Sequence, residues 1–254
     1  MQNFVRESHV PKTSKIRIYT DVDLSVDSVV ELNAEQSHYL LTVMRLQSGD
    51  KLLVFNNRDG EFDCTLTPKN KKSVLLKINS KTRDFERVPD IWLMFAPLKK
   101  DRTDFVVEKA TELGASRIVP VITRYTISDK IKIERWQAQT IEAAEQSRRV
   151  DLPLISEPIA LNKLLTNWDP TRQLYFMDET GAGTDIASTF ATSQTPAAIL
   201  VGPEGGFSEE ELALLHTQSY AHSVSLGKRI LRAETAVLAA LSCYQAICGD
   251  WKKE

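Results

Sequence analysis

The chain has 254 residues, of which 42% are hydrophobic and 26% charged, with only 10 Gly and 10 Pro. This composition excludes a disordered, collagen-like or low-complexity chain, and the length allows folding without a disulfide or structural metal. Three cysteines with no CxxC spacing indicate reduced thiols. Because no apolar run approaches the roughly 18 residues of a membrane span and the first residues lack a signal-peptide pattern, we expect a cytoplasmic protein that binds no membrane.

The net charge of −2 conceals a difference between two parts of the chain. Residues 1–150 contain 25 Lys and Arg against 21 Asp and Glu, whereas residues 151–254 contain 7 against 13. A protein that is acidic overall can still bind a polyanion through one basic face. For any single basic cluster, however, ordinary solvated side chains are the simpler explanation.

The N-terminal third has the pattern of a small β-barrel. Short apolar or alternating runs predict strands over 51–56, 61–67 and 74–78, and Asp59-Gly60 predicts a hairpin turn. One helix is predicted over 34–44. Short strands with tight turns favour a barrel, and the charged segment 81–90 is the predicted linker.

From Asp90 onward, apolar strands alternate with helices. This alternation predicts a parallel sheet with helices on both faces. The predicted strands cover 91–96, 118–122, 174–177, 197–201 and 224–226, and the predicted helices cover 101–113, 136–147, 208–217 and 233–248.

A glycine loop follows the strand over 197–201. Three of the ten glycines lie within Gly202–Gly206, and Ser208 with Glu211 predicts a capping box at the next helix. In open α/β sheets, ligands bind at the carboxyl ends of strands, and glycines let the backbone approach them. The loop is therefore either a ligand site or a tight turn without one.

The loops that follow two other predicted strands contain an unusual combination of glycine and charged residues. Gly227 is followed by Lys228, Arg229 and Arg232, then by a long apolar helix. A helix N-terminus gains nothing from a cation, so Arg232 indicates either an anionic substrate or an exposed, solvated side chain. The segment 177–184 also runs from a strand into glycines, and three such loops together would enclose a pocket.

Motifs for phosphate loops, dinucleotides, serine hydrolases and zinc are absent from the sequence, so neither a metal nor a covalent nucleophile is predicted.

Two strings resemble the signature of a known family. Gly202–Gly206 and Leu226–Thr235 are similar to motifs of the ribosomal RNA small subunit methyltransferase E family, within the SPOUT superfamily. His38–Asp50, Lys109–Gly114 and Glu145–Arg148 also resemble it. That family methylates N3 of a uridine in 16S ribosomal RNA of the small ribosomal subunit.

The resemblance implies a fold, a cofactor and an assembly. It implies a PUA-like RNA-binding barrel over 1–84 and a SPOUT domain over 85–254, whose parallel sheet ends in a C-terminal trefoil knot. It also implies a homodimer, for which the apolar final helix is the predicted contact, and S-adenosylmethionine held by the knot loops. The implied cofactor-binding residues are Met177, Glu179, Leu200, Gly202, Pro203, Glu204, Gly205, Leu226, Gly227, Ile230 and Leu231.

Uridine N3 carries a proton, so this chemistry needs charge stabilisation and a proton acceptor. We expect Arg232 to stabilise the uracil anion, and Glu204 or Glu234 either to accept the proton or to serve only as structural caps. We expect RNA to be bound by Arg6, Arg45 and Arg58, with the surface extended by Lys99, Lys100, Arg102 and Arg148. Two alternatives stay open: a SPOUT enzyme with another target atom, and an RNA-binding assembly factor without catalysis.

Overall fold

The computed structural model describes residues 13–70, 72–127, 131–193 and 195–252. The chain divides into two compact units. The first comprises Met1–Glu86 together with Arg148–Asp151, and the second comprises Arg87–Ser147 with Leu152–Glu254. The chain thus changes unit after Glu86, two residues beyond the predicted boundary, and a four-residue segment returns to the first unit.

The first unit is built on a five-stranded sheet with the order β1-β3-β4-β5-β2. Strand β1 runs parallel to β3, and the remaining neighbours are antiparallel. Helix α1 continues into a π-helical turn over Tyr39–Val43, where a single helix over 34–44 was predicted. The bounds are β1 Thr13–Tyr19, β2 Val29–Glu31, α1 Ala34–His38, β3 Lys51–Asn56, β4 Gly60–Asn70 and β5 Ser73–Arg83.

A buried ion pair joins β1 to β4 in this sheet. The Arg17 Nε donates to the Glu61 carboxylate across 2.6 Å, and Arg17 Nη2 donates to the Arg149 carbonyl across 2.8 Å. Thr82 Oγ1 donates to the Glu61 carbonyl at 3.0 Å. The predicted linker from Lys81 is therefore wrong at its start, because β5 continues to Arg83 along β4.

The second unit contains a parallel sheet with the order β11-β13-β10-β12-β6-β7-β8, and β9 pairs with β7. The strands are β6 Ile91–Phe95, β7 Arg117–Ile122, β8 Leu154–Ile155, β9 Ile159–Ala160, β10 Gln173–Met177, β11 Thr184–Asp185, β12 Ala197–Val201 and β13 Ala221–Ser225. The helices are α2 Lys100–Glu112, α3 Ile133–Ser147, α4 Leu161–Thr166, α5 Ile186–Ala191, α6 Glu209–His216 and α7 Ala233–Ile247.

Hydrophobic layers cover both faces of this sheet, as the alternation of strands and helices predicted. Ile199 packs in the layer that contains α7, whereas Leu200 packs in the layer that contains Leu215 of α6. Successive side chains of a strand point to opposite faces, so Leu200 faces away from α7. In α7 itself, Val237 and Tyr244 are fully buried.

Among the described residues, no helix combines the length and apolar character needed to cross a bilayer.

Candidate active site

Three loops enclose a cavity of about 490 Å³ at the carboxyl ends of β10, β12 and β13. These strands are neighbours in the parallel sheet, so the loops that follow them emerge side by side. Ten predicted cofactor residues line the cavity: Met177, Glu179, Gly202, Pro203, Glu204, Gly205, Leu226, Gly227, Ile230 and Leu231. Leu200 is absent from this lining because its side chain is fully buried in the opposite hydrophobic layer, and its contact with the cofactor stays a prediction.

The glycine loop after β12 is tightly packed. Gly206 has φ of +69°, its N–H donates to the Pro203 carbonyl at 2.9 Å, and a Cβ there would collide with the Glu179 carboxylate. A Cβ on Gly205 would lie 3.2 Å from the Tyr125 Cβ. The loop therefore has little room for side chains. The predicted capping box is confirmed, with Ser208 and Glu211 bonded reciprocally at the start of α6.

Asp178 fixes the loop after β10, and sequence analysis missed it. Its carboxylate accepts hydrogen bonds from Thr180 Oγ1 at 2.6 Å, the Thr180 N–H at 2.9 Å and Ser223 Oγ at 2.8 Å. Burial raises the pKa of this carboxyl, but the three donors outweigh burial and hold the pKa below its ordinary value. The Asp-x-Thr spacing, typical of an Asx turn, was the available signal.

Glu179 has the opposite electrostatic environment. Desolvation, followed by repulsion from Asp178, raises its pKa above the ordinary value. Its carboxylate lies where a Gly206 side chain would be. Glu179 thus joins the loop after β10 to the glycine loop after β12.

Arg102 lies between two acidic residues of the site. Its Nη1 is 3.1 Å from Glu204 Oε1, and its Nε is 3.6 Å from Glu234 Oε1. Helix α2 begins just beyond β6, and β6 pairs with β12, so Arg102 reaches the glycine loop from the neighbouring strand. The guanidinium of Arg102 is thus engaged by two carboxylates, and its contribution to an RNA-binding surface stays a prediction.

The two candidate proton acceptors differ in position. Glu204 lines the cavity, whereas Glu234 is not among its lining residues. Glu234 lies in the first turn of α7, and its Oε2 is buried with no hydrogen-bond partner among the described residues. Only Glu204 therefore faces the space in which a substrate could be held.

Arg232 is the N-cap residue of α7 and lines the cavity. Its side chain is exposed and makes neither a capping bond nor an ion pair within the described part of the chain. Lys228 and Arg229 also line the cavity and are exposed. The loop after β13 therefore presents three cations whose charges are available to a ligand.

The remaining predicted RNA-binding residues have different surroundings. Arg45 is exposed with φ of +55°, and Lys99 and Lys100 are exposed at the start of α2. Arg148 is exposed with φ of +62°, and its carbonyl accepts a hydrogen bond from Arg83 at 2.6 Å. Arg6 lies outside the described residues.

Arg58 is held by its own unit. Its Nη2 is 2.7 Å from Asp23 Oδ1 and donates to the Asp21 carbonyl at 2.7 Å. The guanidinium therefore stabilises the loop after β1, and RNA binding by Arg58 stays a prediction. Among the described residues, no group of three or more His, Cys, Asp or Glu side chains is arranged so that it could hold a metal ion.

Comparisons with known proteins identify the family. Residues 86–245 match the family described as RNA methyltransferase domain, and residues 32–79 match the RNA methyltransferase PUA domain. A ribosomal RNA small subunit methyltransferase E from Rickettsia conorii is 34% identical over 228 residues, which are 89% of this chain and 93% of that protein. This chain belongs to the ribosomal RNA small subunit methyltransferase E family. A Bacillus subtilis protein of the same name is 30% identical over 83% of this chain and 87% of its own length.

Solved structures of this family agree with the fold. A ribosomal RNA small subunit methyltransferase E from Neisseria gonorrhoeae, bound to S-adenosylmethionine, has a TM-score of 0.85 at 30% identity, covering 94% of this chain and 100% of that one. A Legionella pneumophila methyltransferase in complex with S-adenosylmethionine has a TM-score of 0.85 at 31% identity and the same coverage. The α/β fold with a parallel sheet and the PUA-like N-terminal domain are thereby confirmed.

Proposed function

We propose that this protein transfers a methyl group from S-adenosylmethionine to N3 of a uridine in 16S ribosomal RNA of the small ribosomal subunit, in the cytoplasm. The observation that carries the proposal is the cavity of about 490 Å³, which is lined by the family's motif residues. Two similar structures are described as bound to the same cofactor. The second unit is the proposed methyltransferase and the first unit the proposed RNA-binding domain.

The cavity suits a cofactor of this size and chemistry. Its volume lies within the roughly 300–1,000 Å³ of small-molecule sites. Met177, Val201, Leu226 and Leu231 supply apolar surface, and the glycine loop supplies backbone groups unshielded by side chains. When bound, S-adenosylmethionine supplies a methyl group that its sulfonium already activates, so these residues need only hold and orient it.

Arg232 is the proposed electrostatic catalyst. Removal of the N3 proton leaves negative charge that spreads over the uracil carbonyl oxygens. The free guanidinium of Arg232 lines the cavity and can stabilise that charge without first breaking an ion pair within the described chain. This role also explains a cation at a helix N-terminus, where the helix dipole disfavours one.

Glu204 is the proposed proton acceptor. It lines the cavity, whereas Glu234 does not. Arg102 contacts both carboxylates, and we assign it the positioning of Glu204. Glu234 then anchors Arg102 from α7 rather than taking part in proton transfer.

The proposal includes the C-terminal trefoil knot and the homodimer. Support for a dimer comes from α7, on which Leu238, Ala239 and Cys243 are only partly buried and Ala246 is exposed. Such an apolar, partly open face suits a symmetric partner. Sedimentation at micromolar concentration checks it, because a monomer would contradict the dimer.

The decisive experiment is modification mapping. Small subunits from cells that lack this gene are incubated with the purified protein and S-adenosylmethionine, and the RNA nucleosides are analysed by mass spectrometry. We expect 3-methyluridine at one position of 16S RNA. A methylated ribose or guanine would instead indicate another target, and cofactor binding by calorimetry without any product would favour an assembly factor.

A further inference from the structure

The segment Lys228–Ile230 has an unusual surface. Ile230 is 85% exposed, which makes it the most exposed large hydrophobic side chain in the described chain. It is preceded by Lys228 and Arg229, which are exposed and make no ion pair or side-chain hydrogen bond within the described residues. All three line the mouth of the cavity. The exposed Ile230 side chain and two unpaired cations of the described chain therefore lie next to each other at the edge of the cavity.

The charge of this segment contrasts with its surroundings. Residues 151–254 contain 7 Lys and Arg, and three of them lie within 228–232. The same stretch contains 13 Asp and Glu. Glu204 and Glu234 pair with Arg102, and the other two carboxylates of the cavity lining, Asp178 and Glu179, lie on the loop after β10 and form no ion pair with this segment within the described chain. A localised positive field at the cavity mouth attracts an anion rather than a neutral or cationic ligand.

The backbone explains how the segment is presented. Gly227 has φ of +98° with no atom near its Cβ position, so the chain turns into open space. Leu231 then packs against the core, whereas Ile230 does not. Leu231 therefore packs against the core and Ile230 extends into solvent, in a loop whose ends are held by β13 and α7.

Methylation at N3 requires the uridine to leave its stack, because the edge that carries N3 is otherwise paired or covered. A base that leaves the stack opens a gap, and aliphatic side chains such as Ile occupy such gaps in nucleic acids. The neighbouring phosphates need cations to hold the distorted backbone. The cations here are Lys228 and Arg229, and the aliphatic side chain is that of Ile230, the next residue.

We propose that Lys228 and Arg229 bind the RNA phosphates that flank the target uridine, while Ile230 fills the gap in the base stack. This proposal rests on the proposed methyltransferase function and extends it to the substrate backbone at the cavity mouth. It assigns RNA contacts to residues of the second unit that are not among the predicted RNA-binding residues.

The phosphate contacts are tested with the double variant Lys228→Gln/Arg229→Gln in the full chain. Loss of two phosphate contacts should flatten the slope of log affinity against log salt by about 1.4–1.8 for 16S RNA fragments. Affinity for S-adenosylmethionine should stay within about twofold. The matched control is Lys163→Gln, which removes an exposed cation on α4 of the same unit and should leave the slope unchanged.

The stacking contact is tested with Ile230→Ala. We expect kcat/KM for methylation of the small subunit, measured at saturating S-adenosylmethionine, to fall about tenfold with the salt slope unchanged. Fluorescence of 2-aminopurine placed beside the target uridine should report reduced unstacking. On a short single-stranded RNA, whose uridine is already unstacked, the variant should approach the wild-type rate.

Three results would overturn the proposal. Equal salt slopes for wild type and the double variant would exclude the phosphate contacts. A matching loss of S-adenosylmethionine affinity in Ile230→Ala would make Ile230 a cofactor contact, and dissociation of a dimer in sedimentation would make it a subunit contact. If instead the wild type neither binds S-adenosylmethionine nor methylates RNA, the proposed function itself fails.

Discussion

Arg102 Nη1 lies 3.1 Å from Glu204 Oε1, which joins the first turn of α2 to the glycine loop. The two residues are 102 positions apart, and the contact exists because β6 and β12 pair in the sheet. The same guanidinium approaches Glu234 of α7 at 3.6 Å. Three elements that come from separate parts of the sequence therefore meet at one cation.

Replacing Arg102 should impair turnover more than binding. In Arg102→Ala, Glu204 loses the cation that orients it, and we expect kcat to fall about 10–100-fold while the Kd for S-adenosylmethionine changes little. Arg102→Lys keeps the charge and should recover part of the rate. The pH dependence of kcat should also move, which a merely structural loss would not produce. Arg135→Ala, which removes another arginine paired with an acidic residue of α2, is the control.

Arg232→Ala should abolish most turnover and spare RNA affinity. Loss of one charge-stabilising donor at a developing anion typically costs about 100–1,000-fold in kcat. The start of α7 should be unaffected, because the Arg232 side chain makes no capping bond. Steady-state methylation at saturating substrate measures the effect, and a full rate there would refute the assignment.

Gly205→Val should block S-adenosylmethionine binding measured by calorimetry. The branched side chain would occupy space beside Tyr125, whose Cβ lies 3.2 Å from the Gly205 Cβ position. The double variant Gly205→Val/Tyr125→Ala relieves that contact. If binding returns in the double variant, the loss came from a displaced Tyr125; if it stays absent, the side chain occupies the cofactor's space. Unchanged affinity in Gly205→Val alone would locate the cofactor elsewhere.

The two barrel arginines should respond differently to charge reversal. Arg45→Glu removes an exposed cation and should weaken RNA binding and flatten its salt dependence, with cofactor affinity unchanged. Arg58→Glu should in addition lower the thermal midpoint, because it places two acids together at Asp23. Asp23→Asn is the control that removes the pair without reversing the charge. Equal salt slopes for Arg45→Glu and wild type would show that the barrel is not the RNA-binding face.

The Glu61 cluster should make the first unit sensitive to acid. Burial raises the pKa of Glu61, but hydrogen bonds from Arg83 and Arg17 outweigh burial and lower it below the usual 4.5. A carboxylate with a lowered folded-state pKa stabilises the fold above its unfolded pKa, and this contribution is lost as the pH falls through the folded value. The protection factors of β3 and β4 amides, which are corrected for the intrinsic exchange rate at each pH, should therefore fall below about pH 4.5.

Glu61→Gln tests the same cluster at neutral pH. It removes the carboxylate charge that faces the buried Arg17 guanidinium, and we expect a loss of about 3–5 kcal/mol in the free energy of unfolding, as for other broken buried pairs. Glu31→Gln, which removes the exposed partner of Lys69, should change the urea midpoint little. A Glu61→Gln protein as stable as wild type would contradict the argument.

Local signals predicted the elements that they control. The strands over 51–56 and 197–201 match β3 and β12, because a Gly-Asp turn bounds one and a fully buried apolar run forms the other. The capping box at Ser208 was predicted for the same reason. Strand β1 was not predicted, because the charged Arg17, which is buried against Glu61, interrupts its apolar residues. The six-residue helices α4 and α5 are too short to show a helical period.

The same difference between local signals and long-range contacts applies to the site. The glycine loop and the cationic loop could be found from strand ends and composition, and both line the cavity. The contact between Arg102 and Glu204 could not, because it depends on which strands are neighbours. The paired state of Arg58 likewise depends on the path of the loop that carries Asp23. Composition identified these residues as cations and could not identify their partners.

The return of Arg148–Asp151 to the first unit has a practical consequence. Arg17 Nη2 donates to the Arg149 carbonyl, so a fragment that ends at Glu86 loses one of the acceptors of this buried guanidinium and keeps Glu61. The second unit is in turn interrupted between Ser147 and Leu152. The units therefore cannot be separated by a single cut. A stable isolated barrel would need its own replacement for the missing carbonyl, supplied by a grafted segment or by exchange of Arg17 and Glu61 for an apolar pair.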